Sequence, residues 1–279
     1  MKKLVFTLAT CCIMCACEQK TETNPFFTEF RTEYGAPDFD KIKIEHYEPA
    51  FLKGIEEQNA EIKAIVESRE TPGFENTIVA LDNSGRTLAR VKGVFYALTE
   101  ADTNDEMSAL SEKIAPVLSE HNDNIYLNQD LYKRVAAVWQ QEQEGKITLT
   151  TEQHRLLDRY YKAFIRSGAG LDAGKQNRLR EINKELSTLA ITFSNHILNE
   201  NNAYRLVIDN EAELAGLPEW VKTGAAEEAK AVGKEGKWLF TLQNSSRLPL
   251  LQYADNRELR SEEHTSELQS RQYLVCRLQ

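Results

Sequence analysis

The chain has 279 residues, 28% of them charged, with 43 acidic against 34 basic side chains and a formal net charge of −9. That length admits one large domain or two small ones, and an acidic chain without a basic stripe to neutralise phosphates excludes nucleic-acid binding. No apolar run is long enough for a membrane-spanning helix. Residues 18–259 contain no cysteine, so neither a disulfide framework nor a thiolate metal site is expected.

Residues 1–17 read as an export signal: Lys2 and Lys3 supply the positive start and Leu4 to Met14 a short apolar run. Met14-Cys15-Ala16-Cys17 resembles a lipoprotein signal-peptidase site, which makes Cys17 the expected lipid attachment. The bland alternatives are ordinary secretion with cleavage nearby, or a short cytoplasmic arm. Residues 18–23 then form a polar tether. The expected location is exported and lipid-anchored, on the periplasmic or outer-membrane side, with membrane contact only through the anchor.

From residue 24 the pattern is helical. Pro49 suits the first turn of a helix running to about Glu67, with Phe51, Ile55, Ile62 and Ile65 on one face. Between Pro72 and Glu106, Ile78, Leu81, Leu88, Val91, Phe95 and Leu98 recur at helical spacing and predict one long amphipathic helix. Asn104 or Asp105 caps the next helix, which carries Met107, Leu110, Ile114 and Val117 and which Pro116 should kink or shorten. Another begins at Asp130, with Leu131, Val135, Val138 and Trp139 inward. Thr150 and Gln153 form a capping-box signature for the helix that Gly168 and Gly170 end.

The stretch 172–199 repeats a heptad-like stripe, Leu179, Ile182, Leu186, Leu189, Phe193 and Ile197, and is expected to pack antiparallel on the 72–106 helix. The period then changes. Tyr204 to Ile208 and Trp238 to Leu242 read as a pair of short strands, with a helix near Pro218 to Val232 between them. The fold class is mainly α: about seven helices with a minor short strand pair over 24–259. Trp139, Trp220 and Trp238 fit core or edge packing.

Residues 260–279 read as a non-native tail. Arg260 to Ser270, RSEEHTSELQS, matches the translation of an adapter used in short-read DNA sequencing, so no role is expected for His264 or Cys276. The bland alternative is a native polar helix.

Within 24–259, several groups resemble one family in a consistent order. They are Asn24-Pro25-Phe26, Phe39-Asp40-Lys41-Ile42, Phe74-Glu75-Asn76-Thr77-Ile78, Thr103-Asn104-Asp105-Glu106 and Asp123-Asn124-Ile125-Tyr126-Leu127-Asn128. They resemble the N-terminal portion of the M3 family of zinc metallopeptidases, in particular its peptidyl-dipeptidases. The resemblance implies a helical lobe flanking a deep channel that admits short or unfolded peptides and releases dipeptides from their C-terminal ends. It also implies zinc, held by the two His of an HExxH helix and a downstream Glu, in enzymes more than twice this length.

That motif is absent. None of His46, His121, His154, His196 and His264 is followed by Glu and then His at the required spacing. His154 with Asp158, and His196 with Glu200, are spaced four apart and read as surface pairs on helices. His46 should fix a loop to the first helix, and His121 falls in a polar turn. There is no GxSxG elbow, no phosphate-cradling loop and no cysteine nucleophile in the body. No catalytic or metal residue is therefore assigned, and no zinc is expected on this chain.

The favoured reading is an enzyme fragment whose partner is its own missing C-terminal catalytic lobe, with short peptides as substrates of the whole. The alternative is a non-catalytic exported lipoprotein acting as a peptide-binding or scaffolding module. A lobe that pairs in trans with a separately encoded catalytic half is a third.

Overall fold

The computed structural model describes residues 24–260. The expectations for the export signal, Cys17, the tether and, apart from Arg260, the tail with His264 and Cys276 lie outside the described residues. The fold is mainly α, with nine helices and one two-stranded sheet among the described residues.

Short turns carry the chain from Pro25 to His46, where α1 (Tyr47–Glu67) begins. The start is pinned because Asn24 Nδ2 donates to the His46 carbonyl at 2.7 Å. Pro49 lies in the first turn of α1 instead of opening it, where its missing N–H has no helical acceptor to lose.

The single helix expected over 72–106 is broken. A wide turn, Phe74–Val79, runs into the short α2 (Ala80–Asp82), and α3 (Arg86–Ala101) starts afresh after Asn83-Ser84-Gly85. Gly85 has φ +72°, its N–H is accepted by Glu61 Oε2 at 2.7 Å, and a Cβ there would fall 2.5 Å from the Gln58 side chain. The break is thus made by contact with α1, which the local periodicity does not register. The apolar stripe survives it: Ile78, Leu81, Leu88, Val91 and Phe95 are all buried.

Asn104 caps α4 (Asp105–Tyr126) as expected, accepting from the Met107 N–H at 2.9 Å. Pro116 neither ends nor shortens that helix. One forfeited N–H bond is outweighed by α1 and α7, which hold α4 along its length. α5 (Gln129–Gln143) starts one residue before the predicted Asp130, because Asn128 Oδ1 accepts from the Asp130 and Leu131 N–H groups at 3.0 and 2.9 Å. α6 (Thr151–Arg166) opens on the reciprocal Thr150–Gln153 box and stops before Gly168, whose φ is +90°.

Two cores fill this bundle. One joins the C-terminal half of α1, the 74–82 segment, α5 and α6 through Ile62, Ile78, Leu131, Val135, Leu157 and Phe164. The other joins the N-terminal half of α1 to α3 and α4, with Phe51 and Phe95 edge to face at 5.3 Å.

α7 (Ala173–Ala203) corrects the predicted pairing: it lies on α4, not on the 72–106 segment. The apolar side of α3 is consumed by α1, so α7 meets the polar outer side of α4 instead. Asn183 Nδ2 donates to Asp123 Oδ1 at 2.7 Å, Arg180 to Asn124 Oδ1 at 2.9 Å and Asn195 to Glu112 Oε1 at 2.9 Å.

The last unit pairs β1 (Leu206–Ile208) antiparallel with β2 (Trp238–Phe240), in the register Leu206↔Phe240 and Ile208↔Trp238. α8 (Glu219–Ala231) lies between them in sequence, and α9 (Asn244–Tyr253) follows. Together they enclose Ile208, Leu214, Val221, Phe240 and Leu250. Sequence reading missed α9 because Pro249 sits inside it. That helix and the split of the long one account for nine helices instead of about seven. No helix among the described residues is long and apolar enough to cross a membrane.

Candidate functional site

The four histidines within the described residues go to four separate places. His46 does fix the loop before α1, its Nδ1 accepting from the Lys43 N–H at 3.0 Å. His154 does not turn to Asp158: its Nδ1 lies 2.8 Å from Glu142 Oε1 on α5 and its ring stacks on Trp139, while Asp158 takes Lys162 at 2.8 Å. His196 is exposed on α7, as is Glu200.

His121 is the correction. It is no turn residue but sits inside α4, 5% exposed. Its Nε2–H donates to Gln58 Oε1 at 2.7 Å, Gln58 Nε2 donates to Ser84 Oγ at 3.1 Å, and the Ser84 hydroxyl donates to the Leu81 carbonyl at 2.7 Å. The direction of that chain requires a proton on Nε2. Burial pushes the imidazole pKa down, and Lys92 adds to the effect. The relay ties α4 to α1 and to the 83–85 turn that starts α3.

Beside it lies a cavity of about 190 Å3 whose lining includes Ser84, Lys92, His121, Tyr126 and Tyr160. Tyr160 donates its hydroxyl to Asp82 Oδ1 at 2.8 Å, and Arg159 approaches the same oxygen at 3.3 Å. Burial, and then that hydrogen bond to Asp82, hold the phenol well above its ordinary range. The arrangement positions a neutral imidazole and a protonated phenol. Among the described residues it pairs no nucleophile with a base, and its hydrogen bonds join α1, α4, α6 and the 82–85 turn.

Among the described residues no three His, Cys, Asp or Glu side chains gather where they could hold a metal ion. The described residues therefore offer no ligand set that fits the zinc the family resemblance implies.

Sequence reading also passed over Asp123, which is buried and bonded to Asn183. Burial raises its carboxyl pKa, partly offset by the Asn183 hydrogen bond and by Arg180. The signal available was the polar set at 180, 183 and 195, which lies on one side of a helix whose apolar stripe runs elsewhere.

Two surfaces remain. On α7, Leu186, Leu189, Phe193 and Leu198 are 56%, 54%, 39% and 37% exposed, and no residue of that helix is buried. On α8, Trp220 is 62% exposed, against the expectation of core or edge packing. Trp139 does pack, stacked on Tyr161 at 4.6 Å, and Trp238 packs partly buried on the third core.

No family model matches the chain. It is similar to the dipeptidyl carboxypeptidase of Escherichia coli strain K12, 40% identical over 231 residues, which cover 83% of this chain and 34% of that protein. It is 32% identical to oligopeptidase A of Salmonella typhimurium over 240 residues, 86% of this chain and 34% of that one. Saccharolysin of Saccharomyces cerevisiae is 26% identical over 154 residues, 55% of this chain and 21% of that protein. The chain spans about a third of the length of the first two.

Proposed function

We propose that this chain, similar over most of its length to a dipeptidyl carboxypeptidase and an oligopeptidase A, carries the N-terminal portion of an M3-family peptidase, as one lobe of an exported zinc peptidyl-dipeptidase, and is inactive alone. The intact protein would release dipeptides from the C-terminal ends of short or unfolded peptides, with the HExxH helix and its metal supplied by the other lobe. Cys17 would carry the lipid that anchors the enzyme outside the cytoplasm.

One observation carries this reading: relatives align with 83% to 86% of this chain but with only 34% of themselves. The exposed apolar residues of α7 agree with it, since a heptad stripe of that length is ordinarily covered.

The test is to load the purified chain with zinc, then measure bound metal and dipeptide release from a peptide with a free C-terminus. Substoichiometric zinc and no release are expected. Zinc-dependent turnover would overturn the proposal. The anchor is tested separately: labelled palmitate should enter the wild type and not Cys17→Ala.

A further inference from the structure

α8 turns two faces in different directions. Val221, Ala225 and Ala229 are buried against the third core. Trp220, Gly224, Glu227, Glu228 and Ala231, spaced by four, three, one and three residues, share the outward side. That side, β2 and the first turn of α9 bound a groove of about 440 Å3, whose lining also includes Leu239, Phe240, Ser245 and Ser246, the two apolar strand residues being almost fully buried.

Three properties of the groove bear on what it could hold. A tryptophan exposed to 62% leaves a large apolar area in water. Gly224 lies within a helix, where glycine costs roughly 1 kcal/mol relative to alanine. A Cβ at Gly224 would meet nothing within 4 Å, so packing does not demand the glycine, and a long side chain there would extend into the groove. Glu227 and Glu228 are exposed and take part in no ion pair among the described residues, and no Lys or Arg lines the groove.

We infer that this groove is a docking surface for an extended, basic peptide segment that alternates cationic and aliphatic side chains. Its aliphatic side chains fit over Gly224 beside the exposed Trp220 ring. Its cations meet the face of Trp220 and the carboxylates of Glu227 and Glu228. A strand and a helix bounding the groove suit an extended backbone better than a folded partner. The choice of a peptide rests on the peptidase reading above. The cleavage assay tests that reading, and a binding assay with a peptide blocked at both ends tests this one, because such a peptide has no free C-terminus to process.

The probe is a fluorescein-labelled peptide of about ten alternating Lys and Leu residues, acetylated and amidated, titrated with the full chain and followed by anisotropy. The control replaces every Lys by Glu. Saturable binding of the Lys peptide is expected, with no binding of the Glu peptide. Gly224→Leu should weaken it at least about tenfold without lowering the thermal midpoint, since the new side chain enters open space. Trp220→Ala, at an exposed position, should weaken it comparably and guards against a folding defect in the first variant. Glu227→Gln with Glu228→Gln should cost roughly fivefold and flatten the salt dependence. Equal affinity in wild type and Gly224→Leu, equal binding of the Glu peptide, or no binding at all would overturn the inference.

Discussion

α3 and α7 show the same kind of apolar spacing in sequence and meet opposite fates. In α3, Leu88, Val91, Val94 and Phe95 are buried, because α1 lies along the helix and Tyr47 and Phe51 close on the Phe95 ring from two sides at 5.2 and 5.3 Å. In α7 no residue is buried, and the contact with α4 is made by Arg180, Asn183 and Asn195. A stripe therefore states that a face prefers to be covered, without stating that this chain covers it. α7 is tied to α4 by hydrogen bonds, and of its stripe Leu179, Ile182 and Ile197 are half-buried while Leu186, Leu189 and Phe193 are exposed.

The largest effect that sharpens this contrast comes from the α1–α3 core. Phe95→Ala should lower unfolding stability by about 3–5 kcal/mol, read from urea denaturation, because a fully buried ring leaves a cavity. Gly85→Ala should cost about 2 kcal/mol in the same assay, since its φ of +72° and the Gln58 side chain both oppose a methyl group. A neutral result would mean that the turn between α2 and α3 is not clamped by α1.

His121 tests the bundle through pH. Its folded pKa lies below the ordinary 6.5, so above that value the imidazole is neutral in both states and carries no penalty. As the pH falls below 6.5, the unfolded chain takes up a proton that the folded chain resists, and stability is lost. His121→Gln should remove that part of the slope between pH 7 and 5. Asp123 runs in the opposite sense: its folded pKa is raised above 3.8, so its cost appears as the pH rises through the folded value. Asp123→Asn should relieve that cost at neutral pH while loosening α7.

The smallest effect is expected on α7 itself. Leu186→Lys with Leu189→Lys should change stability by less than about 0.5 kcal/mol, because neither side chain loses burial. Reduced self-association in sedimentation should accompany it. A loss of several kcal/mol would show that this face is covered within the chain, and α7 would then resemble α3 after all.

Much of the fold was legible before any coordinates. Asn104, Thr150 with Gln153, and Gly168 mark helix ends through hydrogen bonds and backbone angles that depend on a few neighbouring residues. The two strands between Tyr204 and Leu242 followed from a local change of period, and the family resemblance rested on short groups quoted in order. The site was much less legible. Neither the absence of HExxH nor the spacing of the histidines told where His121 lies, because its hydrogen-bond partner Gln58 is 63 residues away in the chain.

What the sequence determined by itself is therefore the mainly helical class, the positions of most helix ends, and the amphipathic character of each helix. These depend on interactions spanning one or two turns of chain. Only the tertiary structure decided that Gly85 breaks the long helix, that α7 lies on α4 and not on the 72–106 segment, and that Trp220 faces water. Each of those outcomes depends on which faces are already occupied when a helix docks, a competition between segments far apart in sequence that no local period records.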